Sequence, residues 1–166
     1  MKKTKILVII ALFTALICVL TIFPKVPVPS GGYIHLGDAM IIAAVFFIGI
    51  YAVPAAALGS ALADLLGGYF IYTPATLIIK GLMALAAFVI LSKRDNVSGF
   101  VFASVVSEII MFVLYFLFDT VLYNFEGAVA TIPFSLAQAT SGIILGVVLC
   151  MIIKKSKLKE KFYFNL

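Results

Sequence analysis

Apolar segments of nearly membrane-spanning length occupy most of this 166-residue chain. A helix needs about 20 predominantly apolar residues to cross the hydrocarbon core of a bilayer. The second and third segments are shorter than this, and Pro54 marks either the turn between them or the first turn of the third. The six predicted spans are residues 5–23, 36–50, 52–67, 74–91, 99–118 and 128–153.

The composition indicates an integral membrane protein. Hydrophobic residues make up 64% of the chain and charged residues 11%, which leaves too little polar side-chain surface to cover a soluble domain. No polar linker divides the sequence, so we predict one all-α domain over residues 1–166. The first apolar run continues to Phe23 with no polar region after it, and we interpret it as an uncleaved span rather than a signal peptide.

Basic residues cluster at the ends of the predicted spans. Because lysine and arginine are enriched on the cytoplasmic side of membrane proteins, such clusters predict orientation. With six spans all three clusters fall on one side, so both termini are predicted to be cytoplasmic. The net charge of +5 therefore reports topology, and no nucleic-acid partner is expected. The clusters are Lys2, Lys3 and Lys5; Lys93 and Arg94; and Lys154, Lys155, Lys157, Lys159 and Lys161.

Three consecutive spans each carry one stripe of polar residues at helical spacing. Polar groups inside a membrane normally face a cavity or a partner. Each stripe lies in the outer half of its span or reaches only the midplane, which predicts a pocket open to the outside rather than a channel through both halves. The stripes are Thr73, Thr76 and Lys80; Glu108, Tyr115 and Asp119; and Thr131, Ser135 and Gln138.

The first outer loop, "PKVPVPSGGYIH", combines rigid and flexible residues. Pro24, Pro27 and Pro29 stiffen the loop, whereas the pair at 31–32 is Gly-Gly. We interpret the loop as a lid over the pocket, with an ordinary connector as the alternative. Polar residues near the outer ends of the spans are candidates either for the same pocket or for structural hydrogen bonds and interfacial anchoring. These are Tyr33, His35, Asp38, Asp64, Tyr69 and Tyr72.

Small residues repeat at every fourth position in three spans. This spacing allows close approach of helix backbones in lipid. For spans three and six we expect packing inside the bundle, whereas Ala11 and Ala15 in span one are equally suited to docking a partner protein. The other small residues are Ala55, Gly59, Ala63 and Gly67 in span three, and Gly142 and Gly146 in span six.

Several chemistries are excluded by what the sequence lacks. One histidine and two distant cysteines, Cys18 and Cys150, do not make a typical zinc site, and we expect no disulfide between them. No phosphate-binding G-x-x-x-x-G-K-[ST] motif is present, so ATP hydrolysis by that device is not expected of this chain.

Three segments resemble one family of membrane proteins. The stretches "YIHLGDAMIIAAVFFIG", "GSALADLLGGY" and "TPATLIIKGLMALAA", within residues 33–87, are similar to the S components of energy-coupling factor (ECF) transporters. The resemblance implies a six-helix substrate-capture subunit in a bacterial cell membrane, not an enzyme. It also implies a transmembrane coupling subunit, contacted by Ala11 and Ala15, and two cytoplasmic ATPases that use the ATP. No cofactor is expected on this chain.

We therefore predict capture of a small water-soluble vitamin or precursor. A pyridoxine-like compound or hydroxymethylpyrimidine is favoured, and the absence of tryptophan makes the chain unlike the thiamine-binding members. Lys80 and Glu108 either form a mutual ion pair, set the polarity of the site, or do both. The predicted binding residues are Tyr33, His35, Asp38, Asp64, Tyr72, Thr76, Lys80, Glu108, Tyr115 and Gln138.

Two other functions are compatible with parts of the sequence. An intramembrane enzyme would use Glu108, Asp119 or Asp64 as acid or base, although no carboxylate motif of such an enzyme is present. A structural or assembly subunit would bind no ligand, and its polar stripes would serve only to hold helices together.

Overall fold

Helices make up nearly all of the structure, a computed structural model that describes residues 3–23, 26–27 and 33–160. A 3₁₀ turn, Gly49–Tyr51, joins the second and third helices, and two short strands lie between the first and the second. The elements are α1 (Lys3–Ile22), β1 (Val26–Pro27), β2 (Tyr33–Ile34), α2 (Gly37–Ile48), α3 (Ala52–Gly67), α4 (Thr73–Leu91) and α5 (Val97–Lys155).

Four helical runs are long and apolar enough to cross a membrane in the described part of the chain. They are α1, the nearly continuous run 37–67 that contains α2 and α3, α4, and the 59-residue α5. This confirms the prediction of a helical membrane protein. The first four predicted spans agree with α1 to α4 within two residues at each end.

The spans predicted at 99–118 and 128–153 imply an outer loop at residues 119–127, and this prediction is wrong, because these residues are helical. Only Asn124 leaves helical geometry, with φ of 67° and ψ of 176°, and it divides α5 into a first part, residues 97–123, and a second part, residues 125–155. The Asn124 side chain accepts a hydrogen bond from the Gly127 backbone N–H at 3.1 Å, as an N-cap does. One residue at positive φ thus replaces a longer loop.

The two strands form a small antiparallel pairing that the sequence did not predict. Val26 pairs with Ile34, and Pro27 pairs with Tyr33. We call this the hairpin, and the end of the bundle that carries it the hairpin end. The predicted lid coincides with this region, but Pro24, Pro29, Gly31 and Gly32 lie outside the described residues.

The apolar core lies toward the end of the bundle opposite the hairpin. Ala52, Ala87 and Phe100 have no exposed surface there, and Phe46 meets Phe100 edge-on with ring centroids 4.8 Å apart. Large apolar side chains also point away from the bundle, among them Val8 with 61% of its surface exposed. The hydrocarbon of a bilayer accommodates such exposed apolar side chains, which water would not. A helix also pairs its own backbone groups, as lipid requires, so this outward face suits a helix bundle in a membrane.

Small residues let α3 pack closely against α1. Ala55 and Ala63 are fully buried, and a side chain at Gly59 would lie 2.7 Å from the Thr14 carbonyl oxygen. This confirms the prediction that the span-three ladder packs inside the bundle. In α5, Gly142 and Gly146 are likewise buried, the latter against Ile42 of α2 and Ser104 of α5.

Two glycine-to-alanine substitutions separate packing from helix propensity. We expect Gly59→Ala to destabilise the protein by about 1–3 kcal/mol, because its methyl group would overlap the α1 backbone. Gly81→Ala is the matched control in α4, where the new methyl group would meet Ala57 at an ordinary 3.6 Å, and it should be neutral or slightly stabilising. Thermal unfolding of both variants in detergent measures the difference. Equal unfolding temperatures would contradict a close α1–α3 contact.

Candidate substrate-binding cavity

A cavity of about 80 Å³ lies at the hairpin end. The hairpin and residues of α1, α3, α4 and α5 border it. It is smaller than an engineered cavity of about 150 Å³ that accepts benzene, so a ring-bearing ligand requires some outward movement of the lining. Seven of the ten predicted binding residues line it, which brings together side chains that are up to 105 positions apart in the sequence: Tyr33, His35, Asp64, Tyr72, Thr76, Tyr115 and Gln138.

Eight further residues line the cavity and were absent from the predicted binding set. Asp119, Thr131 and Ser135 belong to the predicted polar stripes, so the sequence carried a signal for them. Ser60 lies one helical turn before Asp64 in α3, and Thr21 lies near the end of α1, which are weak signals. The remaining three are Tyr69, Met111 and Phe134.

The other three predicted residues, Asp38, Lys80 and Glu108, lie outside the cavity lining. The Lys80 ammonium contacts Asp38 Oδ1 at 2.5 Å, and both side chains are almost completely buried. Of the alternatives left open for Lys80 and Glu108, the mutual ion pair is not formed, because Lys80 pairs with Asp38. Asp38 stands in the first turn of α2 and faces α4, which brings a carboxylate closer to the lysine than the α5 glutamate is.

Gln138 connects this ion pair to the cavity. Its Nε2 donates to Asp38 Oδ2 at 2.7 Å, while the residue itself is part of the cavity lining. Both Asp38 oxygens are thereby hydrogen-bonded, one by Lys80 and one by Gln138. A buried carboxylate needs such complete pairing, because burial without it costs several kcal/mol.

Glu108 is buried close to the ion pair but separate from it. Only 2% of its surface is exposed, and neither carboxyl oxygen has a hydrogen-bond partner in the described residues. The absence of a side chain at Gly142 leaves room for this carboxyl group, since a Cβ there would overlap Oε1. The predicted role of Glu108 in substrate binding stays a prediction.

Tyrosine hydroxyls join the helices around the cavity. Tyr115 and Thr76 share a hydrogen bond of 2.8 Å between α5 and α4. Tyr72 donates to Asp119 at 2.9 Å, and burial together with this carboxylate raises the pKa of Tyr72. The Tyr115 ring also lies 5.4 Å from the Lys80 ammonium, within the range of a cation–π interaction.

The hairpin contributes an aromatic wall on the other side. Tyr33 donates to Asp64 at 2.7 Å and lies beside Tyr69, with ring centroids 4.7 Å apart. Burial and the Asp64 carboxylate raise the pKa of Tyr33, so its phenol stays neutral. The wall offers neutral aromatic faces, which suit a planar ring.

His35 lies between the hairpin and α2, next to Gln138. Burial lowers the pKa of His35 to about 4, although Asp38 opposes the shift, so the imidazole is neutral at physiological pH. Its Nδ1 accepts a hydrogen bond of 3.1 Å from the Gly37 backbone N–H. Beside the carboxyl groups of Asp64 and Asp119, the cavity therefore presents a neutral imidazole, an amide and neutral phenols, with the ion pair beneath them.

No cluster of three or more potential metal ligands occurs among the residues that the structure describes. Cys18 and Cys150 are buried free thiols. The arrangement is suited to holding a neutral or weakly polar ring by stacking and hydrogen bonds.

Removing one partner of the buried ion pair tests its role in stability. We expect Lys80→Met to lower the free energy of unfolding by about 3–5 kcal/mol, because Asp38 would stay buried without its counter-charge. The control is Lys154→Met, which breaks the exposed Lys154–Asp95 pair and should cost at most about 1 kcal/mol. Thermal unfolding in detergent compares the two. Similar losses would show that the buried pair is not a major support of the fold.

Comparison with known proteins assigns the fold and the family. A solved structure of the S component of a bacterial ECF transporter superposes with a TM-score of 0.67 at 22% identity, covering 94% of this chain and 97% of that one, which establishes the fold. A Pyrococcus woesei protein described as "Uncharacterized protein in gap 3'region" is 36% identical over 141 residues, 84% of this chain and 95% of its own length. The family described as ECF-type riboflavin transporter, S component, matches residues 1–155. Because that match spans nearly the whole chain, the protein belongs to the family of ECF-type riboflavin transporter S components.

Proposed function

We propose that this chain captures a small ring-bearing vitamin in the cavity at the hairpin end and passes it to partner subunits for uptake. The observation that carries this proposal is the convergence of seven predicted binding residues on one cavity within the fold of an ECF S component. S components are transport subunits rather than enzymes, which removes the intramembrane enzyme as an alternative.

Riboflavin is the first candidate substrate, because the matching family is described by it. Chemistry supports the choice. Tyr33, Tyr69 and Tyr115 provide aromatic faces for a flat ring system, and the hydroxyl and carboxyl groups of Thr131, Ser135 and Asp119 suit a polyol chain. The pyridoxine-like compounds and hydroxymethylpyrimidine favoured by the sequence are the alternatives.

The cavity must enlarge to hold any of these compounds. Its volume of about 80 Å³ lies well below the roughly 300–1,000 Å³ of typical ligand pockets. The hairpin is the part of the lining with the least regular structure, because each strand has only two residues. We assign the opening movement to this hairpin, which lies in the region of the predicted lid.

We further propose six membrane crossings with both termini in the cytoplasm. The 3₁₀ turn at Gly49–Tyr51 and the break at Asn124 divide the four long helical runs into six segments. The three basic clusters at the ends of the spans then lie on the cytoplasmic side. The hairpin and the cavity lie on the outer side of a plasma membrane, bacterial as the sequence resemblance implies.

ECF S components work with a transmembrane coupling subunit and ATPases, and the outer face of α1 offers a docking surface for the former. Ala11 and Ala15 are exposed. They line a shallow apolar groove between α1 and α3, together with Leu58 and Leu62. Small residues at i and i+4 allow a partner helix to approach the backbone closely. The ATP of the cycle is bound and used by two partner ATPases, not by this chain.

Ligand binding tests the proposed substrate directly. We expect the purified chain to bind riboflavin and to quench its fluorescence, and Tyr115→Leu to weaken binding by roughly tenfold or more, because stacking on a ring is worth about 1 kcal/mol or more. Tyr51→Leu is the control, since Tyr51 lies in the 3₁₀ turn and outside the cavity lining. The chain contains no tryptophan, so its own emission overlaps little with the flavin signal.

The same titration with pyridoxine and hydroxymethylpyrimidine ranks the three candidates. Mass spectrometry of compounds that co-purify with the chain checks the result without assuming a ligand. Absence of any bound small molecule, together with no response in all three titrations, would favour the ligand-free assembly subunit.

Bulky substitutions test the groove on α1. We expect Ala11→Phe combined with Ala15→Phe to abolish uptake in cells that supply the partner subunits, while ligand binding by the isolated chain is unchanged, because the groove is remote from the cavity lining. Leu12→Phe is the control, since Leu12 is exposed on α1 but outside the groove. Normal uptake by the double variant would show that the coupling subunit docks elsewhere.

A further inference from the structure

His35 and Gln138 lie side by side in the cavity wall. Their hydrogen bonds to other residues determine which donor and acceptor atoms of each side chain stay available to a ligand. Their nearest nitrogen atoms, His35 Nε2 and Gln138 Nε2, are 3.4 Å apart. Whether this contact is a hydrogen bond depends on the imidazole tautomer and on the orientation of the amide. Neighbouring groups decide both.

The amide orientation of Gln138 follows from Asp38. An ionised carboxylate only accepts hydrogen bonds, so the amide atom 2.7 Å from Asp38 Oδ2 has to be the nitrogen. Lys80 at 2.5 Å keeps Asp38 ionised. The carbonyl oxygen Oε1 of Gln138 consequently points away from Asp38, and no hydrogen bond in the described residues engages it.

The tautomer of His35 follows from the first turn of α2. The backbone N–H of Gly37 donates to His35 Nδ1 at 3.1 Å. This N–H is one of the first in the helix and has no backbone carbonyl partner within it. A backbone N–H can only donate, so Nδ1 has to be the accepting nitrogen. The pKa of about 4 keeps the ring neutral, and the single ring proton is then on Nε2.

The contact between the two side chains is therefore donor against donor, not a hydrogen bond. The His35 Nε2–H lacks an acceptor among the residues that the structure describes, and the neighbouring Gln138 Oε1 lacks a donor. Both residues are more than nine-tenths buried and line the cavity. A donor and an acceptor left open in this way on residues of the cavity wall can each form a hydrogen bond with a ligand.

We propose that His35 Nε2–H and Gln138 Oε1 together recognise one edge of the substrate ring, and that this edge carries a hydrogen-bond acceptor directly next to a donor. The inference rests on the proposed function, since it concerns the same cavity. The required edge narrows the chemical class of the substrate. A lactam edge, C=O beside N–H, fits and is present in flavins, and an aminopyrimidine edge, ring N beside NH₂, fits equally. Pyridoxine lacks an edge of fixed order: its ring nitrogen and ring hydroxyl group are separated by a substituted carbon, and its neighbouring hydroxyl groups each donate and accept by rotation.

Ligand variants test the donor half of this edge. We expect the wild-type chain to bind riboflavin at least tenfold more tightly than N3-methylriboflavin, which lacks the N–H that Gln138 Oε1 accepts. In the pyrimidine arm, hydroxymethylpyrimidine should exceed its analogue without the amino group by a similar factor. The arm in which the unmodified compound binds identifies the source of the edge. Equal binding of the modified and unmodified compounds would overturn the proposal.

Two substitutions of His35 test the acceptor half. His35→Asn places an acceptor near the position of Nδ1, so it can retain the Gly37 contact, but it removes the donor at the Nε2 position. We expect it to keep the wild-type unfolding temperature and to lose tenfold or more in affinity. His35→Gln is the matched variant, because its amide nitrogen reaches the Nε2 position, and we expect affinity close to that of the wild type. A folded His35→Asn variant with unchanged affinity would contradict the assignment.

The outcomes separate this inference from the proposed function. If the wild-type chain binds pyridoxine but neither riboflavin nor hydroxymethylpyrimidine, the capture function stands and the edge assignment is wrong. If no compound binds, both fall together.

Discussion

The buried ion pair between Lys80 and Asp38 is the interaction on which the rest of the site depends. Two charges without exposed surface are tolerated only because they neutralise each other at 2.5 Å and because Gln138 satisfies the second carboxylate oxygen. The pair joins α2 to α4, and Gln138 adds the second part of α5. Three helices are thus held in register directly beneath the cavity, where an apolar core alone would specify their relative positions less strictly.

This arrangement explains why the Lys80 and Asp38 charges stay out of the cavity, whose own carboxyl groups, Asp64 and Asp119, accept hydrogen bonds from Tyr33 and Tyr72. Lys80 and Asp38 neutralise each other, so neither charge is available to a ligand. The hydrogen bond from Gln138 to Asp38 fixes the orientation of the Gln138 amide in the cavity wall. His35 is neutral, and the phenols of Tyr33 and Tyr72 stay protonated. A site of this kind discriminates by the pattern of donors and acceptors rather than by net charge, which suits uncharged vitamins.

The periodicity of apolar and polar residues made much of the fold predictable. It did not predict which residues pair with each other across helices. The helical stripes correctly identified Thr76, Tyr115, Gln138 and other cavity-lining residues. A polar residue inside a membrane normally faces a cavity or a partner rather than lipid. The same reasoning offered Glu108 as a candidate counter-charge for Lys80, since both lie on neighbouring polar stripes, and it did not consider Asp38 for this role. It failed because spacing along a helix defines a face but not the rotation of one helix against another. The helical stretch at 119–127 was missed because one residue, Asn124, makes the turn.

The sequence by itself determined the class of protein, the helices of the bundle and the face of each that carries polar groups, because hydrophobicity and helical spacing are local properties of the chain. The tertiary structure was needed to show that Asp38 rather than Glu108 neutralises Lys80, and that Gln138 and His35 line one cavity. These results depend on distances between helices, and such distances arise from the close packing of small residues such as Gly59 and Gly142.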